Sequence, residues 1–401
     1  NIRYFGPADG HDVLDLVRIF QEIKDYEGPK VLHIITKKGK GYEPAENDQT
    51  TWHAPGEFCV ETGERRKGDE AKKQVLWQEV FGEQLLALAK EDERIVGITP
   101  AMPSGCSMNI MQKEIPNRVF DVGIAEGHAV TFSAGLAKAG MKPFCNIYSS
   151  FLQRAYDNII HDVALPKLPV VFCIDRAGIV GNDGATHHGL LDLAYLRPIP
   201  NMVIGAPMTA KDLQDMMTLA KDYDGPIAIR YPRGRTNEGD EAIRRLGNEA
   251  KVTIGKGVCL RESNEAKVAV LSIGAIGNTV MEAIGLLGER LEAKGEEARI
   301  AHYDMRWLKP MDESILAEVA EKYHTIITVE DGVISGGLGS AVAEFISDHS
   351  TCKTQNASIP RLIRLGVNDQ FVEHGSTKEL YHLLKLDKEG ICESLLQALE
   401  Q

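Results

Sequence analysis

Residues 75–235 alternate between helical segments and short apolar strands, and this alternation limits the possible folds more than any other feature. The strands are rich in Val and Ile, as in the segments Arg94–Ile98 and Leu168–Ile174. Strands that are apolar on both faces are typical of parallel sheets covered by helices on each side. We therefore predict an open, mostly parallel α/β sheet whose ligands bind beyond the carboxyl ends of the strands.

A second α/β series follows, with apolar strands that begin at Val268, Thr325 and Arg361. Before the first series, the chain shows a short strand, a Gly-Pro-Ala-Asp-Gly turn, an amphipathic helix and an apolar strand that we expect to be buried. We predict the following division: the tail of an α/β unit at 1–42, a linker or crossing loop at 43–74, one domain at 75–236, a linker at 237–250 and a second domain at 251–401.

The composition is that of a soluble globular protein. The 401 residues include 43% hydrophobic residues and carry a formal net charge of -13, which leaves no basic surface for nucleic acid. No apolar run approaches the ~18–20 residues of a membrane span, and the seven cysteines lie singly, without metal-site spacing. We expect a cytoplasmic protein that binds neither nucleic acid nor membrane.

A carboxylate marks the point where an apolar strand ends and a Gly/Ala-rich helix begins, within the segment Asp121–Val130. Burial raises the pKa of such a group, so Glu126 could share a proton with a ligand nitrogen. A structural alternative is a helix N-terminal Glu that only complements the helix dipole.

Three further segments carry polar and aromatic residues in a specific pattern: Tyr148–Asp157, Ile174–Gly189 and Arg230–Gly234. Together with Glu126, and with Gly6–Asp12 and Thr36–Ala45, they resemble the thiamin diphosphate enzymes of the transketolase type. The resemblance is closest to the 1-deoxy-D-xylulose 5-phosphate synthases and extends from about residue 4 to about residue 395. It implies pyrimidine-binding and C-terminal transketolase-like domains, preceded by a remnant of the diphosphate-binding domain.

The resemblance assigns three residues to the cofactor, thiamin diphosphate. It makes Glu126 the group that hydrogen-bonds the pyrimidine ring, so that the cofactor can act as an electron sink. Phe151 resembles the aromatic side chain that stacks on that ring, and Tyr42 resembles another cofactor contact. A core Phe and a loop Tyr packed on a neighbouring domain remain the alternatives.

The resemblance also assigns residues to the substrates. Arg176 and Arg233 would clamp a sugar phosphate, although either alone could be a surface ion pair. His53 and His187 would hold a carboxylate and relay a proton. The remaining candidates are Tyr148, Arg154 and Asp183, which would orient the substrate or the histidines, and the weaker candidates His11 and His188.

The metal-binding segment of these enzymes has no counterpart in the chain. They hold Mg²⁺ and the diphosphate through Gly-Asp-Gly and a later Asn, and the chain contains only Asn-Asp-Gly, Tyr-Asp-Gly and Glu-Asp-Gly. We therefore expect the C-terminal part of a longer enzyme, with the Mg²⁺ ligands in its N-terminal portion and no metal ligand within this chain.

The reaction implied by the resemblance condenses pyruvate with D-glyceraldehyde 3-phosphate, with CO₂ release, to give 1-deoxy-D-xylulose 5-phosphate. A homodimer is expected. The alternatives are the β-subunit of a 2-oxoacid dehydrogenase, a transketolase that acts on sugar donors, and a scaffold module without cofactor.

Overall fold

The computed structural model describes residues 1–49, 51–53, 55–65, 75–236, 251–263, 265–350 and 359–400. The chain divides into two compact units, residues 1–73 and residues 74–401. Within the described ranges, no helix combines the length and the apolar character needed to cross a membrane.

The first unit is built on a two-stranded parallel sheet. Strand β1 (Arg3–Asp9) pairs with β2 (Lys30–Ile35), and helix α1 (Val13–Ile23) connects them. The side chain of Asp12 caps α1 by accepting a hydrogen bond from the N–H of Asp15. Helix α2 (Glu43–Asn47) and a 3₁₀ turn follow.

Two predictions for this unit are wrong. The segment predicted as a Gly-Pro-Ala-Asp-Gly turn lies largely within β1, where the pairing register shifts between Phe5 and Ala8. The strand expected to be buried is β2, yet Val31 and Ile35 are 47% and 56% exposed. A sheet of two strands with one helix offers too little apolar surface to cover both faces of β2.

The second unit contains a seven-stranded sheet in the order β12-β7-β8-β6-β5-β3-β4. All neighbouring strands are parallel except β12, which runs antiparallel to β7. The strands are β3 (Ile95–Thr99), β4 (Val119–Asp121), β5 (Lys142–Tyr148), β6 (Val171–Ala177), β7 (Val203–Gly205), β8 (Ile227–Pro232) and β12 (Trp307–Lys309). The predicted parallel α/β sheet is confirmed.

Helices pack on this sheet because its strands are apolar on both faces. Two core clusters, one including Ile98 and Phe172 and the other including Leu85 and Phe144, are excluded from solvent. The helices are α3 (Trp77–Glu91), α4 (Asn109–Glu114), α5 (Glu126–Lys138), α6 (Ser149–Leu152), α7 (Tyr156–Asn158), α8 (Asp192–Leu196) and α9 (Ala210–Asp222).

A five-stranded sheet forms the remainder of this unit, in the order β14-β13-β10-β11-β9. Only β9 is antiparallel to its neighbour. The strands are β9 (Val258–Arg261), β10 (Val268–Ile273), β11 (Ile300–Asp304), β13 (Thr325–Val333) and β14 (Arg361–Val367). The helices are α10 (Ile276–Glu292), α11 (Glu313–Lys322), α12 (Leu338–Ser350), α13 (Thr377–Leu383) and α14 (Lys388–Leu399).

One strand from the C-terminal series joins the seven-stranded sheet. Strand β12 follows β11 in the chain but completes the edge of the seven-stranded sheet, where Trp307 lies opposite Gly205. A Cβ atom on Gly205 would stand 2.7 Å from the Trp307 ring, so only glycine admits the buried indole. The position of β12 in this sheet was not predicted from the sequence.

Candidate active site

Most of the predicted site residues lie at one edge of the seven-stranded sheet. Tyr148 ends β5, Arg176 lies near the end of β6, Glu126 follows β4, and Arg233 follows β8. Strands β4, β5, β6 and β8 are parallel, so their carboxyl ends meet at the same edge. The fold therefore brings together residues that are more than 100 positions apart in the sequence.

Three aromatic side chains form a continuous stack at this edge. The rings of Tyr148 and Phe151 are nearly parallel, at 22°, with centroids 5.5 Å apart. The imidazole of His187 meets Phe151 edge to face at 5.2 Å, and its Nδ1 atom lies 2.9 Å from the hydroxyl of Thr186. The stack holds the predicted cofactor-contacting Phe beside the predicted proton relay.

The guanidinium of Arg176 lies over the Tyr148 ring of this stack. Its carbon lies 4.3 Å from the centre of the Tyr148 ring, a cation–π distance. Burial raises the pKa of Tyr148 to about 12, so its hydroxyl stays protonated. Gly105 leaves room for that hydroxyl, because a Cβ atom there would lie 2.5 Å from it.

Asp175 anchors Arg176. One carboxylate oxygen lies 2.5 Å from Nη1 of Arg176, and the other accepts the backbone N–H of Arg176 at 2.7 Å. Burial raises the pKa of Asp175 to about 6, against the opposing attraction of Arg176. The arginine side chain is only 12% exposed.

Glu126 is the first residue of α5 and is 5% exposed. Its Oε2 atom lies 3.4 Å from Nη1 of Arg154, whose side chain is 66% exposed. Helix α5 packs against the turn that carries Arg154, which explains this approach. A nearly buried carboxylate with one long contact to an exposed cation is placed to share a proton with a ligand.

Arg233 pairs with Asp183, a contact that was not predicted from the sequence. Its Nη1 atom donates to Asp183 at 2.6 Å and to the carbonyl of Val180 at 3.3 Å. Both charged side chains are close to half exposed, so a ligand phosphate could replace Asp183 as the partner of the guanidinium.

His188 has a structural role in the loop that carries His187. Its Nδ1 atom accepts the backbone N–H of Val180 at 3.0 Å, which puts the proton on Nε2, facing the carbonyl of Glu373 at 3.2 Å. With both nitrogens engaged and 5% exposure, His188 holds the loop that presents His187.

Tyr42, His53 and His11 belong to the first unit. The hydroxyl of Tyr42 donates to the carbonyl of Val60 at 3.1 Å. Nδ1 of His53 lies 2.7 Å from the ammonium of Lys38, and Nε2 of His11 accepts a backbone N–H at 2.6 Å. Their participation in one site with Glu126 stays a prediction.

Two buried acids that were not predicted from the sequence support the site. One is Asp175; the other is Asp192, which accepts from the guanidinium of Arg230 at 2.9 Å and from the hydroxyl of Ser149 at 3.0 Å. Asp192 thereby ties the start of α6 to β8. For Asp175 the available signal was a charged residue inside an apolar strand, in Phe-Cys-Ile-Asp-Arg; the same signal marks Arg230, the partner of Asp192, in Ile-Ala-Ile-Arg-Tyr.

A cavity of about 580 Å³ opens beside the stack. Ser150 and Gln153 line it from the segment of Phe151, and Thr186 lines it from the segment of His187. The residues of the stack itself lie next to this cavity rather than in its wall.

Family models match most of the chain. The pyrimidine-binding domain of transketolase matches residues 73–238, the transketolase C-terminal domain matches residues 255–391, and a model described as 1-deoxy-D-xylulose-5-phosphate synthase matches residues 1–36. Among solved structures, a split-gene transketolase described as an inactive β4 tetramer superposes with a TM-score of 0.68 at 29% identity, over 82% of this chain and 99% of that one. A transketolase from Pichia stipitis, at 17% identity and a TM-score of 0.61 over 82% of this chain and 46% of that one, shares the fold.

Curated relatives are more similar. The 1-deoxy-D-xylulose-5-phosphate synthase of Parabacteroides distasonis is 58% identical over 400 residues, which is 98% of this chain and 60% of the relative. That of Bacteroides fragilis is 54% identical over 392 residues, 98% of this chain and 58% of the relative. The chain thus spans about 60% of the length of these relatives. It belongs to the transketolase-like family of 1-deoxy-D-xylulose-5-phosphate synthases and corresponds to a C-terminal portion of them.

Proposed function

We propose that the chain forms the pyrimidine-binding and C-terminal parts of an enzyme that condenses pyruvate with D-glyceraldehyde 3-phosphate. The products are 1-deoxy-D-xylulose 5-phosphate and CO₂. The observation that carries the proposal is the grouping of Glu126, the Tyr148–Phe151–His187 stack and Arg176 at one sheet edge, in a chain with this family membership.

The residues at this edge suit thiamin diphosphate. Glu126 offers a nearly buried carboxylate for a ring nitrogen, and Phe151 offers a partly buried aromatic face for a flat heterocycle. When bound, the cofactor supplies the carbon nucleophile that acts on a 2-oxoacid. We assign Tyr42 as a further contact, and we place the Mg²⁺ ligands outside this chain.

In this proposal, Glu126 holds the proton shared with the pyrimidine ring, and the exposed Arg154 keeps that carboxylate in place. His187 and His53 bind the pyruvate carboxylate and return a proton to the acceptor's carbonyl oxygen. Tyr148 fixes the position of Phe151 through their stacked rings.

Arg176 and Arg233 select a phosphorylated acceptor. Arg176 lies near the end of β6 and Arg233 follows β8, which is parallel to β6, and each can offer two N–H groups to a phosphate. Asp183 holds Arg233 in position before the phosphate arrives. We further propose a homodimer that works in the cytoplasm.

The test uses the natural polypeptide that contains this chain, supplied with thiamin diphosphate and Mg²⁺. Pyruvate is added with and without D-glyceraldehyde 3-phosphate, and products are identified by mass spectrometry. Deoxyxylulose phosphate formed only with the acceptor supports the proposal. Glu126→Gln, which keeps the size of the side chain and removes its charge, is the matched control and should give no product.

Other products would replace the proposal. Pyruvate consumption that does not depend on the acceptor would favour a 2-oxoacid dehydrogenase or decarboxylase. Ketose-dependent transfer of a two-carbon unit would favour a transketolase, to which the similarity with the split-gene transketolase points. Absence of thiamin diphosphate binding by calorimetry would favour a scaffold module.

A further inference from the structure

Asp175 directs both oxygens of its carboxylate to a single residue. Oδ2 lies 2.5 Å from Nη1 of Arg176, and Oδ1 accepts the backbone N–H of the same arginine at 2.7 Å. Asp175 is fully buried, while Arg176 reaches the edge of the sheet with 12% of its side chain exposed. A buried acid whose two oxygens both bind one neighbouring arginine restricts the direction in which that arginine points.

The backbone makes this pairing possible. Successive side chains of a strand point to opposite faces, so neighbours within β6 would not normally meet. Arg176 adopts a positive φ of 57°, and the pairing of β6 with β8 shifts register between Ile174 and Ala177. A non-glycine residue in the left-handed region is strained, and such residues are concentrated at functional sites.

The pairing also selects which edge of the guanidinium is occupied. Nη1 is bound to Asp175, and one face of the group lies on the Tyr148 ring, itself paired with Asp175 across β5 and β6. Among the described residues, neither Nε nor Nη2 of Arg176 has a hydrogen-bond partner. Nε and Nη2 form the edge that binds two oxygens of one phosphate or carboxylate.

A second cation lies within electrostatic reach. Arg233 lowers the pKa of Asp175, although less than Arg176 does, and burial outweighs both. Arg233 also lines the same small cavity as Ala177, the neighbour of Arg176, so a phosphate on the open edge of Arg176 would have Arg233 nearby.

We infer that Asp175 is a positioning residue for the phosphorylated acceptor: it ties one edge of the Arg176 guanidinium so that the opposite edge is presented to the phosphate. This inference rests on the proposed function. It predicts that Asp175 acts only through Arg176 and only on ligands that carry a phosphate. A merely structural acid would lower stability without discriminating between ligands.

The test compares Asp175→Asn with the unaltered enzyme, using the natural polypeptide that contains this chain. We expect KM for D-glyceraldehyde 3-phosphate to rise about tenfold or more, the effect of misaligning one charge-assisted hydrogen bond. We expect kcat to stay within about threefold and KM for pyruvate to be unchanged. With D-glyceraldehyde, which lacks the phosphate, the variant should match the unaltered enzyme. A KM increase of equal size for both aldehydes would overturn the inference.

A double variant tests the route through Arg176. Arg176→Lys removes the planar guanidinium, so adding Asp175→Asn should cause little further loss. Independent, additive losses would overturn the inference. Asp222→Asn removes an exposed acid of α9, 68% exposed and paired with Lys221, and serves as the matched control.

Binding of sn-glycerol 3-phosphate, followed by calorimetry, separates this inference from the proposed function. This ester carries the phosphate but no aldehyde, so its affinity does not depend on turnover. Weaker binding by about tenfold in Asp175→Asn supports the inference even if the enzyme makes another product. Unchanged binding overturns it. If the Asn variant does not fold, Asp175→Glu keeps the charge, shifts the carboxylate and should weaken the same binding.

Discussion

Substitution of Asp304 by Asn should stabilise the fold at pH 8. Asp304 ends β11, where it shares the guanidinium of Arg306 with Asp212 of α9. The three side chains are at most 4% exposed. Nη2 of Arg306 lies 2.9 Å from Asp212, whereas Nε lies 3.8 Å from Asp304. One arginine therefore faces two buried carboxylates and favours Asp212.

The magnitude follows from proton linkage. Burial, and then repulsion from Asp212, raise the pKa of Asp304 to about 7 from 3.8. Between these two values the folded protein binds more protons than the unfolded chain, so the free energy of unfolding falls as pH rises from about 4 to about 7. At 1.36 kcal/mol per pH unit, ionisation of this group lowers the free energy of unfolding by about 4 kcal/mol above pH 7.

The Asn variant should recover about half of that cost, roughly 2 kcal/mol. An amide oxygen can still accept the backbone N–H of Arg306, which Asp304 accepts at 3.1 Å. It loses the attraction of the guanidinium, which reduces the gain. At pH values well below 3.8 the acid is protonated in both states, so the variant should gain little there.

The assay is denaturant unfolding of both proteins at pH 5, 6, 7 and 8. The difference in free energy of unfolding should grow towards pH 8, and Asp222→Asn should show no such trend. A variant that is less stable by the same amount at every pH would refute the reasoning. That result would mean that the ionised Asp304 stabilises Arg306 and that its removal leaves the charge of Arg306 only partly compensated.

Three further predictions concern the site and the core. Glu126→Gln should abolish product formation. The melting temperature should stay within about 3 °C of that of the unaltered protein, because the contact of Glu126 with the exposed Arg154 contributes little stability. Loss of the folded state would contradict this. Gly105→Ala should push the Tyr148 hydroxyl from its place, 2.5 Å from the added Cβ, and raise KM for the acceptor several-fold with little change in KM for pyruvate. Leu85→Ala, at a fully buried position of α3, should lower the free energy of unfolding by about 2–5 kcal/mol in the same denaturant assay; a loss below about 1 kcal/mol would show that the core collapses around the gap.

Much of the second unit could be predicted because its information is local. The apolar runs at Val268, Thr325 and Arg361 begin β10, β13 and β14 as expected. Parallel strands place their carboxyl ends together, so motif residues that follow different strands could be expected at one edge. Successive pairwise contacts connect Arg176 to Tyr148, Tyr148 to Phe151 and Phe151 to His187 there.

The remaining features depend on contacts that a local pattern does not encode. The pairing of Asp175 with Arg176 needs a left-handed backbone at a non-glycine residue, which no propensity predicts. Burial of β2 was predicted from its apolar residues, yet burial depends on what packs against them. The strand Trp307–Lys309 is too short for periodicity to identify its partner.

The pairing of β12 with β7 at Gly205 also sets an order of events during synthesis. About one hundred residues separate β7 from β12, so the edge of the seven-stranded sheet stays open until the ribosome has delivered Trp307–Lys309. An uncovered parallel edge is a template for pairing with other chains. Expression of residues 75–236 alone should therefore yield an aggregation-prone product, and a gene split between the two sheets would leave each product dependent on its partner.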